Sequence, residues 1–222
     1  SISINSAALD PLFAPWDETN KHRGRAKKGQ PPETKSDRRK SPIRMVNPRR
    51  AAVKEWRELN YFGASDTTRE LLGYWFERPH RLIGGNGEEF DFRYYFCQRE
   101  AIETFIYLIE IRGLTSLSSL IFEYGGPNAE TEALGIKPED DEWARYAFKL
   151  ATGAGKTKCM SLAVVWSYFH ALRESGSEMA KHFLIIAPNL TVFERLKEDF
   201  RPEGGGPDIF MTDPLIPPEW RG

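Results

Sequence analysis

Leu150-Ala151-Thr152-Gly153-Ala154-Gly155-Lys156-Thr157 decides how this chain is read. Two glycines precede a lysine and a hydroxyl, with a short apolar segment before them (145–150, RYAFKL) and a long one after (156–173). Glycines let backbone N–H groups crowd together without steric cost, and a helix that starts there adds its partial positive charge. The spacing predicts a phosphate cradle: Thr152, Gly153, Ala154 and Gly155 wrap the phosphates, Lys156 reaches the β- and γ-phosphates, and the Thr157 hydroxyl holds Mg²⁺. The ligand this implies is ATP with Mg²⁺. The consensus G-x-x-x-x-G-K-[ST] wants glycine at position 150, where this chain has Leu150, so the match rests on context.

Working outward, residues 145–150 suit a strand, and 156–173 suit a helix that is apolar on nearly every side and buried against a sheet. Phe183-Leu184-Ile185-Ile186-Ala187 is a continuous apolar run closed by Pro188, as expected of a parallel strand covered on both faces. Residues 191–200 return to helical periodicity. Strand, loop, helix, strand, helix is the opening of a parallel α/β domain. Upstream the chain reads as helical. Residues 49–60 place Ala52, Val53, Trp56 and Leu59 on one side, and a second helix starts near Thr67, with a Thr67-x-x-Glu70 capping box. Residues 97–111 put Ala101, Ile102, Phe105, Ile106 and Ile109 on one face. Gly125 to Asp141 is acidic and turn-rich and reads as a loop, and Phe90–Phe96 reads as a packed strand or, less simply, a stacking platform.

The expected organisation is a basic, weakly ordered arm (1–48), a helical region (49–142) and the start of an ATP-binding lobe (143–222). The arm has its own signature. Residues 21–50 carry twelve Lys or Arg against Glu33 and Asp37, although the whole 222-residue chain has a net charge of −1. Such asymmetry points to a polyanion, most simply a nucleic-acid backbone, or else to a basic linker. No stretch approaches the roughly 20 apolar residues of a membrane span, and no signal peptide opens the chain. Two cysteines, Cys97 and Cys159, do not make a disulfide framework, and the four histidines lack zinc-site spacing. A cytoplasmic protein is expected.

LATGAGKT followed by FLIIAPNLTVFERLKEDF resembles motifs I and Ia of superfamily 2 DEAD/DEAH-like helicases, and is most similar to the ATPase (Res) subunit of type III restriction enzymes. In that family the first loop glycine is commonly replaced, as Leu150 replaces it here. The segment Phe96-Cys97-Gln98-Arg99-Glu100-Ala101 resembles the family's glutamine motif, which implies that Gln98 reads the adenine edge. Ile4-Asn5-Ser6, 53–57 (VKEWR) and 61–65 (YFGAS) also resemble segments that precede the motor. The resemblance implies a RecA-like fold and a DNA-dependent helicase or translocase. It further implies DNA contacts at Pro188, Asn189 and Thr191, and a methyltransferase partner. A plain strand-to-helix turn with Thr191 as N-cap is the bland alternative there.

Hydrolysis also needs a carboxylate for Mg²⁺ and water, and an arginine finger. Asp140-Asp141-Glu142 precedes the loop, and Asp213 follows an apolar run hemmed by Gly204-Gly205-Gly206 and Pro214, so neither suits. These residues therefore read as the N-terminal part of a longer restriction-type enzyme, inactive alone. Two other readings stand beside it: a P-loop phosphotransferase, and a nucleotide-sensing DNA-binding module without catalysis.

Overall fold

The computed structural model describes residues 14–24, 28–30 and 33–221; Ile4-Asn5-Ser6 and part of the basic arm lie outside them. The elements run β1 (His22–Arg23), β2 (Thr34–Lys35), α1 (Val46–Glu58), α2 (Asp66–Phe76), β3 (His80–Ile83), β4 (Glu89–Phe92) and α3 (Phe96–Ile106). Helix α3 runs on into a π-helical turn, Tyr107–Ile111. Then come α4 (Leu117–Tyr124), α5 (Ala129–Leu134), α6 (Pro138–Asp141), α7 (Lys156–Arg173), α8 (Leu190–Phe200), α9 (Ile209–Thr212) and a 3₁₀ turn, Pro218–Trp220.

The core forms where α7 packs on α2 and α3. Leu71 and Leu72 of α2, Ile102 and Ile106 of α3, and Leu162 and Trp166 of α7 are fully buried together with Trp75 and Leu215. Each such side chain contributes about 1.5–3 kcal/mol of transfer free energy. Buried polar atoms tie the same helices: Trp166 Nε1 donates to Thr68 Oγ1 at 2.8 Å, and Thr68 Oγ1 donates to Glu110 at 2.5 Å. Trp75 Nε1 donates to the Leu215 carbonyl at 2.7 Å, bringing the chain's last described segment onto the helices.

Several expectations shift. The helix near Thr67 is capped by Ser65, whose hydroxyl accepts from Thr68 N at 3.2 Å; Glu70 instead pairs with Arg173 at 3.1 Å. Leu59 is exposed beyond the end of α1. The acidic stretch read as a loop contains α5 and α6.

The largest difference concerns the parallel sheet. Among the described residues the only strand pairings are two antiparallel hairpins, β1–β2 and β3–β4. Segments 145–150 and 183–187 form neither helix nor paired strand, and α7 is buried against helices rather than a sheet. Strand stability comes from neighbours across the ladder, and neither segment has one. Residues 145–150 are held by rings instead: Tyr146 and Phe148, two apart and so on one side, lie 5.2 and 5.4 Å from Phe105 of α3. The run at 183–187 has no such anchor, and Leu184 and Ile186 are more than 80% exposed.

Candidate nucleotide site

The phosphate loop folds as the residue types require. Ala154 N donates to the Ala151 carbonyl at 3.2 Å, closing a turn, and Gly153 (φ 81°) and Gly155 (φ 76°) take the left-handed conformation that other residues resist. Gly155 is the N-cap of the 18-residue α7, with no side-chain cap and no acidic residue in the first turn. By contrast Asn189 caps α8 and Asp208 caps α9. The longest helix among the described residues thus presents first-turn N–H groups and the positive end of its dipole with no side-chain cap and no acidic residue of its own first turn, which suits a phosphate. Lys156 is exposed, and its Nζ donates to the Ala151 carbonyl at 2.9 Å, folded back across the loop it would serve. Thr157 is the second residue of α7, at the same end.

Gln98 is not the exposed glutamine a helix start suggests. It is buried, and its amide bridges two elements: Oε1 accepts from Tyr95 N at 2.9 Å, and Nε2 donates to the Ala154 carbonyl at 2.9 Å. This amide closes the first turn of α3 and anchors the phosphate loop. It also explains Gly155 a second time, since a Cβ there would run into the Gln98 amide.

A cavity of about 770 Å³ opens beside the loop. Gly153, Gly155 and Gln98 form one side, and the β3–β4 hairpin, through Leu82, Phe90 and Phe92, forms the other. Trp16 closes an end, with the Arg93 guanidinium 5.6 Å from its ring. The aromatic stretch 90–96 is divided between packing and the cavity wall. Tyr94 and Phe96 are buried and Phe92 stacks edge-on to Tyr94 at 4.9 Å, whereas Phe90 and Tyr95 remain exposed at the cavity.

Asp213, set aside on sequence grounds, and Lys158, which the sequence did not single out, belong to this wall. Lys158, one turn into α7, makes an ion pair with Asp213 and lies 5.1 Å from the Phe92 ring. Asp213 is brought there because Tyr94 Oη donates to the Pro214 carbonyl at 3.2 Å and Trp75 holds Leu215. No spacing in the sequence signals this pair across 55 residues. Pro188, Asn189 and Thr191 do not line the cavity, and Asn189 and Thr191 are exposed. The cap of α8 is Asn189, whose Oδ1 accepts from Val192 N at 3.0 Å, and not Thr191. Among the described residues no three His, Cys, Asp or Glu cluster as a metal site, and no helix is long and apolar enough to cross a membrane.

A glycine-bounded loop opening a buried helix, with a glutamine anchored to it, agrees with a P-loop helicase fold, the class to which the family match below assigns the chain. The chain belongs to the family described as type III restriction enzyme, res subunit, whose profile matches residues 89–213, more than half of the sequence. The match begins at β4 and takes in Gln98, the loop and Asp213. No curated protein and no solved structure matches the chain.

Proposed function

We propose that this chain is the ATP-binding front of a DNA-dependent helicase or translocase motor in a type III restriction-like enzyme. The observation that carries the reading is the uncapped, glycine-bounded start of α7, with Lys156 at its first position and Gln98 fixing the loop. The triphosphate lies along residues 152–157, Lys156 swings from the Ala151 carbonyl to the phosphates, and Thr157 contributes its hydroxyl to Mg²⁺. Thr157 would be the residue to hold Mg²⁺, which when bound would supply charge neutralisation at the phosphates; sites of this ion commonly need only one or two protein ligands. The base enters the cavity under Phe90 and Trp16, where Gln98 still has one N–H and one lone pair unspent for the adenine edge.

In the whole enzyme, segments 145–150 and 183–187 pair into a RecA-like parallel sheet, covering the apolar surface that Leu184 and Ile186 now expose. Pro188, Asn189 and Thr191 then lie at the carboxyl end of a sheet strand, where bound DNA would cross. The three functional parts are the arm (1–48), the helical region (49–142) and the motor lobe (143–222), acting in the cytoplasm with a methyltransferase subunit. A second reading, a nucleotide-sensing DNA-binding module, draws on Asp213: the carboxylate brought to the loop wall is already paired with Lys158.

The test is Mg²⁺-dependent binding of a fluorescent ATP analogue to the chain, with DNA-stimulated hydrolysis measured in the full enzyme. Lys156→Ala should remove both while the thermal melt stays unchanged, because Lys156 is exposed. Unchanged turnover in that variant would remove the proposal.

A further inference from the structure

The arm is better built than its composition suggests. Ser41 N donates to Asn47 Oδ1 at 2.9 Å and Asn47 Nδ2 returns a bond to the Ser41 carbonyl at 2.8 Å, clasping residues 38–41 over the start of α1. Arg38 forks onto Glu100 of α3, with one N···O distance of 2.7 Å, and its guanidinium lies 5.5 Å from the Phe96 ring. Arg50 of α1 reaches the same carboxylate at 3.5 Å. On the other side Lys54 meets Glu18 at 3.2 Å.

These contacts enclose a cleft of about 160 Å³. Six cations and two carboxylates line it, and one of the cations, Arg57, is committed to the buried Glu103. Arg39 and Lys40 are exposed at the rim, and among the described residues neither has a carboxylate partner. The floor carboxylate, Glu100, is shared between two guanidiniums. The unpaired positive charge, on Arg39 and Lys40, therefore faces solvent beside the paired cations of the cleft. A cleft of this volume, about a fifth of the nucleotide cavity, has room for a phosphate group but not for a base or sugar.

We propose that this cleft is a nucleic-acid backbone site, in which Arg39, Lys40 and Lys54 hold one or two adjacent phosphates of a DNA strand, distinct from the nucleotide loop. It rests on the reading of the chain as a DNA-acting motor. A polymer fits better than a lone anion because Arg38, Arg39, Lys40 and Arg50 of the cleft belong to a sequence segment, residues 21–50, with twelve cations and two carboxylates. Releasing counterions from several neighbouring phosphates rewards such a row of charges, whereas a single anion engages only one or two of them. Glu100 competes with the incoming phosphate for Arg38 and Arg50, so it acts as a brake on affinity.

That competition gives the test a signature that misfolding does not produce. Binding of the whole chain to a fluorescent duplex of random sequence is followed by anisotropy from about 50 to 200 mM salt. Arg39→Ala/Lys40→Ala should lower the slope of log K against log[salt] by about 1–2, at roughly 0.9 for each phosphate no longer neutralised. Glu100→Gln should tighten binding, by up to about 5-fold if the freed pair is worth what partly exposed ion pairs are worth. Slopes and affinities equal to wild type in both variants would overturn the site. So would weakened binding in Glu100→Gln, or displacement of the duplex by inorganic phosphate at matched ionic strength. ATP binding is measured in parallel. Duplex binding with these slopes but no nucleotide binding would sink the ATP reading alone; nucleotide binding without duplex binding would sink the cleft alone.

Discussion

Replacing Gln98 by alanine separates two roles that one amide is asked to fill. In the structure the amide makes two hydrogen bonds, to Tyr95 N and to the Ala154 carbonyl, each 2.9 Å, from a buried position. A neutral hydrogen bond of this kind is worth about 0.5–1.5 kcal/mol net, so losing both costs about 1–3 kcal/mol of loop anchoring. If that anchoring pre-organises the loop, the loss reappears as weaker triphosphate binding, by roughly 5- to 150-fold. It should fall on ATP and GTP alike, because the loop meets phosphates and not the base. A further loss for ATP over GTP, about 5- to 10-fold, is expected from the N–H and lone pair left for adenine. The assay is parallel fluorescence titration of the chain with labelled ATP and GTP in Mg²⁺, with circular dichroism to confirm the fold. Gln98→Glu is the control: it can still accept from Tyr95 N but turns a carboxylate toward the Ala154 carbonyl, so it should bind both nucleotides worse than Gln98→Ala does. GTP affinity unchanged in Gln98→Ala would refute the anchoring role.

Two other expectations concern stability. Glu103 is fully buried and accepts from Arg57 Nε at 2.9 Å, Arg99 Nε at 2.8 Å and Tyr61 Oη at 2.7 Å. Burial beside this carboxylate lifts the Tyr61 hydroxyl above its ordinary value, and Arg99 is likewise raised by Tyr61 and Glu103 against the opposing effect of its own burial. Glu103→Ala leaves the Arg57 guanidinium without a counterion and Arg99 with Glu77 alone, at 2.6 Å, and should cost about 3 kcal/mol, read as a lower urea midpoint; a midpoint matching wild type would count against the cluster as a brace. Cys159 is buried, which pushes its thiol up to about 12, while Cys97 is exposed. A thiol reagent near pH 8 should therefore modify one cysteine in the native chain and both in urea, at a pH of about the ordinary thiol range. Burial of this thiol favours folding fully below the unfolded thiol value, about 8.5, and the advantage is lost as pH climbs toward about 12. Equal modification rates for the two native thiols would contradict that burial.

Local rules carried the sequence reading furthest where neighbours in the chain decide the outcome. Glycine before Lys156 and a long apolar run after it placed the turn and α7, and the periodicity of residues 97–111 placed Ile102 and Ile106 inside. The same rules fell short wherever a partner lies far along the chain. Phe183–Ala187 reads as a buried strand because its side chains are apolar throughout, yet a strand exists only when another backbone lies beside it. Thr67-x-x-Glu70 has the spacing of a capping box, but Ser65 was free to cap and Glu70 was drawn to Arg173, 103 residues away. Asp213 looked disqualified by the glycines and proline around it; Tyr94 and Trp75, anchoring the residues after it, bring it to Lys158.

Residue type and spacing were enough to set out the chemistry on offer: a glycine-bounded loop, a lysine and a hydroxyl at a helix start, a glutamine some fifty residues upstream, and a basic arm. Those follow from residue type and short spacing, because the backbone freedom of glycine and the charge of a helix end are local properties. That Gln98 is locked to Ala154, that the β3–β4 hairpin walls the cavity, and that the arm closes on Glu100 emerged from the folded chain alone. Such contacts join residues tens of positions apart. They are selected by burial of the shared core and by the need of each buried polar group for a partner, which no single segment can satisfy alone.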